Sequence, residues 1–218
     1  MNLPTLAVIV LVSAGAAIAT PVLAKGFMRR GTGVFYESNF LIQRAPQLCS
    51  VLNIFLIAIS HFIGSGQIKL PNGLEVLHPL FTLFPNLPSN IAHLIAWPGV
   101  AILLSGLVFM IGGWISLGEC FSTDAEVMNG HAVKNTGLLK YVMHPAYSGI
   151  IQSLLGASIA AVSPICTALT LFVIMPLWLN RAKYEEKLLI ESLGEPYKEY
   201  AKSLNWRRLI PNFIPIGV

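Results

Sequence analysis

Apolar residues fall into five long stretches, separated by segments that carry most of the polar side chains. The stretches run over residues 3–24, 46–63, 91–117, 146–162 and 165–179. About 20 apolar residues in a row cross the hydrocarbon core of a bilayer as a helix, and about 17 suffice when the helix is little tilted. The pattern therefore predicts an all-α integral membrane bundle of about five transmembrane helices.

The last two stretches are separated only by Ser163 and Pro164. This predicts a tight helical hairpin with Pro164 at its turn, because proline is favoured at the start of a helix. The first stretch is interpreted as a retained transmembrane helix, since its charges follow the apolar run, whereas those of a signal peptide precede it. We treat 1–218 as one transmembrane domain, with three spans in 1–117 and the hairpin and a C-terminal helix in 118–218.

Composition supports a lipid environment. Hydrophobic residues make up 55% of the 218 residues and charged residues only 11%, whereas about a quarter of an ordinary soluble chain is charged. So few charges exclude a soluble globule, a disordered chain and a coiled coil. The formal net charge is +4, but the basic residues do not cluster, so the expected partner is membrane lipid and not nucleic acid. The cysteines form no CxxC pair, so neither a disulfide framework nor a metal site is predicted.

The distribution of lysine and arginine predicts the orientation. Apart from Lys69, every lysine and arginine lies in a segment that the five-span arrangement places on one side of the membrane. Cytoplasmic segments carry the excess of these residues, so the N-terminus is predicted outside and the C-terminus inside. The membrane is a bacterial inner membrane or the endoplasmic reticulum, depending on the organism. The proline-rich segment 64–90 on the outer side fits a re-entrant or interfacial cap, but its pattern does not predict its structure.

Polar residues are concentrated in two cytoplasmic segments, 119–145 and 180–187. Both ends of a helical hairpin emerge side by side, so these segments are expected at one membrane mouth. The sequence His-Pro-Ala-Tyr over 144–147 begins the hairpin. Arg181 and Glu185 end it, four residues apart and therefore on one helical face. Taken singly, these features also fit a helix start and a surface ion pair worth about a few tenths of a kcal/mol.

Beyond residue 187, apolar residues recur at steps of three and four, with lysines between them. They are Leu188, Leu189, Leu193, Tyr197, Tyr200 and Leu204. This spacing predicts a basic amphipathic helix on the inner leaflet, interrupted at 194–196.

Three C-terminal segments together resemble a known family. They read G-L-L-K-Y-V-M-H-P-A-Y-S-G over 137–149, E-E-K-L-L-I-E-S-L-G-E-P-Y-K-E-Y over 185–200 and L-I-P over 209–211. With the apolar hairpin between the first two, the pattern resembles the isoprenylcysteine carboxyl methyltransferases and their relatives, the membrane phospholipid N-methyltransferases. The resemblance covers about residues 121–211.

The resemblance implies methyl transfer from S-adenosyl-L-methionine to a lipophilic or small-molecule acceptor, at a site without a Rossmann fold. It implies donor-binding residues in the loop before the hairpin, at the start of the hairpin and in the helix after it. They are His131, Ala132, Val133, Lys134, Leu139, His144, Pro145, Ala146, Tyr147 and Glu185. It also implies that Arg181 is the catalytic residue that faces the acceptor.

The chain departs from the family pattern at two positions. Met143 stands where the family has arginine, and the loss of this cation argues against a carboxylate acceptor. Leu139 stands where the family often has an aromatic residue, which removes a stacking contact.

Two other functions are consistent with the sequence. Membrane sterol reductases carry a similar C-terminal hairpin and use NADPH, whose 2′-phosphate calls for basic residues. Lys134, Lys140 and Arg181 are available for that purpose. The other alternative is a non-catalytic membrane protein with a decayed site, which the substitutions at Met143 and Leu139 favour. The acceptor's identity and the oligomeric state are not predicted.

Overall fold

The computed structural model describes residues 3–33, 35–36, 39–83 and 87–215. Helices dominate these residues, which confirms the all-α class. The helices are α1 (Leu3–Met28), α2 (Phe40–Gln43), α3 (Ala45–Gly64), α4 (His78–Phe81), α5 (Ser89–Leu117), α6 (Pro145–Ala160), α7 (Pro164–Leu169), α8 (Met175–Leu193) and α9 (Glu195–Ser203).

Short elements connect the helices. A π-helical turn, Thr170–Ile174, joins α7 to α8. Three-residue or four-residue 3₁₀ turns precede α4, follow α5 and precede α6. Two strands, β1 (Phe35–Tyr36) and β2 (Glu126–Val127), pair antiparallel.

Four helical segments in the described part of the chain are long and apolar enough to cross a membrane. They are Leu3–Met28, Ala45–Gly64, Ser89–Cys120 and Pro164–Leu193, and they coincide with four of the five predicted stretches. At the remaining stretch lies α6, which has 16 residues. At 1.5 Å per residue α6 is about 24 Å long, less than the roughly 30 Å of a hydrocarbon core. The chain is an integral membrane protein, and α6 is the short arm of its helical hairpin.

The chain forms two compact units. The first contains Met1–Gly15, Gln47–Leu107 and Ile151–Pro176, and the second contains Ala16–Pro46, Val108–Ile150 and Leu177–Val218. All the predicted site residues belong to the second unit. The assignment of 1–218 to a single domain stays a prediction.

Helices α5 and α6 approach closely in the first unit through small residues. A Cβ atom added to Gly106 would lie 2.4 Å from the backbone nitrogen of Ser153, and one added to Gly99 would lie 2.4 Å from that of Ala160. Lipid tails are as apolar as the helices themselves, so membrane helices associate through close packing of small residues. The glycines of α5 therefore determine how near α6 can lie.

Gly106→Val is expected to lower the melting temperature of the detergent-solubilised protein. The new side chain collides with the backbone of α6, which cannot rotate away as a side chain would. Overpacking of this kind costs about 1–3 kcal/mol. Ala101→Val is the matched control, because Ala101 is exposed on the same helix and its variant should melt like the wild type. An unshifted melting temperature for Gly106→Val would contradict the close approach of the two helices.

The turn between α6 and α7 is covered by the segment that follows α4. The hydroxyl of Thr82 donates to the carbonyl of Ala161 at 3.0 Å, and the amide of Leu83 donates to the carbonyl of Val162 at 3.0 Å. Val162 has a φ of +48°, which is unusual for a β-branched residue, so these two bonds support a strained turn. Residues 82 and 83 of the outer segment 64–90 thus contact the hairpin turn, and residues 84–86 lie outside the described residues.

The predicted C-terminal amphipathic helix is present as the end of α8 followed by α9. Gly194 separates the two helices with a φ of +65°, a conformation that glycine adopts without steric cost. The apolar face of α9 is buried in the second unit, where Tyr197, Tyr200 and Leu204 pack with Met143. This burial fits a helical tail packed on the protein, and contact of the same helix with the inner leaflet stays a prediction.

Candidate active site

Four side chains that the sequence predicts as one site meet in the second unit. His144 precedes α6 and Tyr147 lies in its first turn, and their rings stack with centroids 5.4 Å apart and planes 2° apart. Arg181 and Glu185 lie one turn apart in α8. The hydroxyl of Tyr147 donates to the carboxylate of Glu185 and accepts from Nε of Arg181 at 2.9 Å. The two polar segments therefore converge as the hairpin predicts.

Arg181 is only 2% exposed, and every nitrogen of its guanidinium has a protein partner. Nη1 donates to the carbonyls of Ile42 and Gln43, each at 3.2 Å. Nη2 donates to the carbonyl of Thr123 at 2.9 Å. A buried cation is stable only when its charge and its donors are satisfied, which accounts for this number of contacts. A direct contact between Arg181 and an acceptor stays a prediction, and one of these bonds would have to open to permit it.

The two backbone segments that meet the guanidinium are held by buried contacts that the sequence analysis missed. The carboxylate of Asp124 pairs with Arg44 at 2.6 Å and with Arg30 at 3.2 Å. The side-chain amide of Gln43 bonds to the backbone of Ala125 in both directions, at 2.9 and 2.8 Å. These partners are at least 80 residues apart in sequence, so spacing along the chain gives no signal of them.

Of the predicted donor-binding segment 131–134, His131 is the residue that lies near the four side chains. Ala132 and Lys134 are exposed and Val133 is half-buried. His131 is half-buried and is close enough to Glu185 to feel its charge. Its Nδ1 atom is buried and has no hydrogen-bond partner among the described residues. A bound ligand is one way to satisfy such an atom.

The other predicted donor-binding residues are packed in the interior. Pro145 is fully buried, and Ala146 packs with Trp114. Leu139 is 4% exposed, and its carbonyl accepts from the hydroxyl of Tyr200 at 2.8 Å. The structure therefore brings the side chains of His144, Tyr147, Arg181 and Glu185 together, and does not add that of Leu139 to them.

The stability of the protein should depend on the protonation of His131. Burial lowers the pKa of His131 below its ordinary value of 6.5 and Lys134 lowers it further, whereas Glu185 opposes the shift. The folded protein therefore keeps the imidazole neutral at a pH at which the unfolded chain already binds the proton. This contribution to stability is present above about pH 6.5, the unfolded value, and is lost progressively as the pH falls from there through the lower pKa of the folded state.

We expect the melting temperature to fall between about pH 7 and pH 5.5, and to fall less in His131→Asn. Melting curves of both proteins in the same buffers measure the difference. An equal fall in the two would show that His131 does not contribute.

Two further side chains, those of Glu186 and Arg208, lie beside His144, and the sequence did not predict their contact. The side chain of Glu186 is 5% exposed and pairs with Nε of Arg208 at 2.9 Å. Its Oε1 also lies 3.3 Å from Nε2 of His144. The adjacent glutamates at 185 and 186 are a visible signal in the sequence, but nothing there shows that Arg208 returns to meet them.

The arrangement suits the binding of a cationic ligand. The Glu185 carboxylate is 19% exposed, so it is accessible while remaining partly shielded from water. The stacked rings of His144 and Tyr147 lie beside it; His144 is buried, and Trp178 and the guanidinium of Arg181 already contact the Tyr147 ring. Together these groups can hold and orient a charged donor molecule.

Comparison with known proteins identifies the family. Residues 99–191 match the model of the isoprenylcysteine carboxyl methyltransferase (ICMT) family. Protein-S-isoprenylcysteine O-methyltransferase of Saccharomyces cerevisiae is 30% identical over 180 residues, which cover 68% of this chain and 75% of the relative. Protein-S-isoprenylcysteine O-methyltransferase A of Arabidopsis thaliana is 22% identical over 192 residues, covering 79% and 95% respectively. The chain therefore belongs to the ICMT family and is a methyltransferase embedded in the membrane.

Proposed function

We propose that the protein transfers a methyl group from S-adenosyl-L-methionine to the carboxylate of a lipophilic acceptor of the S-isoprenylcysteine type. The observation that carries the proposal is the buried network of Tyr147, Arg181 and Glu185 beside the stacked ring of His144. The names of the relatives support the acceptor class and outweigh the replacement of the family's arginine by Met143. Met143 is buried against α9, so it supplies no group to the acceptor.

The residues of the site fit the donor chemically. Glu185 supplies an accessible negative charge for its ammonium or its ribose hydroxyls, and the unpartnered Nδ1 of His131 offers a further hydrogen bond. We place the donor against the 131–134 segment, the 144–147 turn and Glu185. When bound, the donor supplies an electrophilic methyl group whose bond to sulfur breaks as a bond to the acceptor oxygen forms, and the electron pair remains on sulfur.

The protein's own contribution is to position and desolvate the reactants. A carboxylate is already a nucleophile, so this reaction needs no general base. In-line displacement depends on holding the two reacting atoms close and aligned, which accounts for much of the rate in such reactions. The rigid attachment of Tyr147 and Glu185 to Arg181 keeps the donor-binding groups in one position.

The proposed orientation suits both substrates. With the C-terminus in the cytoplasm, the site opens where a water-soluble donor arrives from the cytosol. An acceptor with a long apolar chain enters sideways from the inner leaflet. Which membrane this is depends on the organism.

Calorimetry of the detergent-purified protein tests the donor. We expect binding of S-adenosylhomocysteine and none of NADPH. Binding of NADPH alone would favour the sterol-type reductase. Binding of neither ligand by folded protein would indicate a decayed site.

Transfer of a labelled methyl group to S-farnesylcysteine tests the acceptor. The matched control is S-farnesylcysteine methyl ester, whose carboxyl group is blocked, and it should not be labelled. The product should release its label in base as methanol, as an ester does. A base-stable product would show methylation of nitrogen or sulfur and would overturn the carboxylate assignment.

A further inference from the structure

We propose that Glu186 and Arg208 are a positioning pair that fixes the ring of His144 in the donor site. The inference rests on the proposed donor site, and it adds a C-terminal residue to a site otherwise built from the hairpin and the preceding loop.

The pair is an ion pair with one hydrogen bond, in a largely buried place. Nε of Arg208 donates to Oε2 of Glu186 at 3.1 Å and lies 2.9 Å from Oε1, which makes no hydrogen bond among the described residues. The Glu186 side chain is 5% exposed and that of Arg208 is 26% exposed. A carboxylate so buried is costly without a cation beside it, so removal of Arg208 leaves an uncompensated charge.

The imidazole of His144 lies between two acidic side chains. Its Nε2 is 3.3 Å from Glu186 and its Nδ1 is 3.8 Å from Glu185. Oε1 of Glu185 accepts from Tyr147 and Arg181, whereas Oε2 is the oxygen that faces the ring. The contact of Nε2 with Oε1 of Glu186 is a close approach and not a hydrogen bond. It is the shorter of the two contacts to the ring, and Arg208 pairs with the same carboxylate.

The backbone makes a second connection between the same segments. The amide of His144 donates to the carbonyl of Arg208 at 2.9 Å, and the amide of Met143 donates to the carbonyl of Arg207 at 2.9 Å. The amide of Asn212 donates to the carbonyl of Tyr141 at 2.6 Å. These bonds hold the C-terminal segment alongside the residues that lead into α6, so they keep Arg208 near His144 whatever its side chain.

The charges of the pair also reach the packed face of α9. Burial raises the pKa of Tyr197, and the negative charges of Glu186 and Glu185 raise it further, while Arg208 lowers it. Tyr197 packs with Met143, the neighbour of His144. The pair therefore lies between α9 and the start of α6.

The test is a double-mutant cycle between Arg208 and His144, read as the affinity for S-adenosylhomocysteine. We expect Arg208→Met to weaken binding at least about tenfold, by analogy with groups that orient metal-bound histidines, whose removal weakens metal binding by about 10–100-fold. In a His144→Ala background, Arg208→Met should have no further effect, because its influence passes through that ring. Lys202→Met is the matched control: Lys202 is an exposed cation in α9, and its loss should leave affinity within about twofold.

A KM-against-kcat comparison separates positioning from general damage. Arg208→Met should raise KM for the donor more than it lowers kcat, and Arg208→Lys, which keeps the cation, should restore most of the affinity. Wild-type affinity in Arg208→Met, or equal losses with and without His144, would overturn the pairing. If Arg208→Met does not fold, the same cycle with Glu186→Gln decides the question. Wild-type protein that fails to bind the ligand would instead refute the donor site itself.

Discussion

Replacing Glu185 by alanine should weaken the binding of S-adenosylhomocysteine by about 30-fold or more. Removing one partner of a buried, hydrogen-bonded charge pair costs about 2 kcal/mol or more, and each 1.4 kcal/mol is a factor of ten. Two sets of interactions are lost in this variant. The donor loses a carboxylate partner, and the hydroxyl of Tyr147 and Nε of Arg181 lose the oxygen they share. Calorimetry on the purified variant measures the affinity.

Glu191→Ala is the matched control for this experiment. Glu191 lies on the same helix, is half exposed and pairs only loosely with Lys187, at 3.9 Å, so its removal should not change the affinity. Glu185→Gln tests the charge alone, since it keeps the shape and the hydrogen-bonding oxygen. Unchanged affinity in Glu185→Ala would place the donor elsewhere.

Arg181→Ala should be the most destabilising single substitution among the site residues. It leaves the carbonyls of Ile42, Gln43 and Thr123 without their donor, and it removes the cation beside Glu185. Breaking a buried ion pair by deleting one partner costs about 3–5 kcal/mol. We expect a large fall in melting temperature and no detectable methyl transfer.

Arg181→Lys distinguishes stability from catalysis. Lysine keeps the charge but cannot bond to three segments at once with a planar fork, so partial recovery of folding with low turnover is expected. Lys183→Ala is the control, because Lys183 is an exposed cation on the same helix. A melting temperature for Arg181→Ala near that of the wild type would refute the structural role described for this guanidinium.

The membrane helices could be predicted because their signal is local. Apolar runs of sufficient length place the first three long spans to within a few residues, whereas the helix of the last one continues past residue 179 to Leu193. The pair Ser163-Pro164 gives the position of the hairpin turn. The hairpin in turn brings the 144–147 segment beside Arg181 and Glu185. The four-residue spacing of Arg181 and Glu185 is enough to place them on one face of α8. The resemblance to the family independently predicts that both residues belong to the site.

The partners of these residues could not be predicted in this way. Asp124, Gln43 and Arg208 reach the site from segments that only the fold brings near. The environment of Arg181 is a further example: its position in α8 follows from the sequence, but the three backbone carbonyls that accept from its guanidinium do not. The burial of Met143 against α9 likewise depends on how the chain turns after Gly194.

The bonds from Arg181 to the carbonyls of Ile42 and Gln43 have a consequence for biosynthesis. Arg181 and Gln43 are 138 residues apart, and a ribosome adds about 5–20 residues per second. Roughly 7 to 28 s therefore pass between the synthesis of the carbonyl groups and that of the guanidinium that binds them. During that interval the first two spans can already have entered the membrane, while the segment between them must keep its polar backbone in water. The bonds between Arg181 and this segment therefore form late in synthesis. An insertion machinery that holds the segment at the membrane surface would favour their formation.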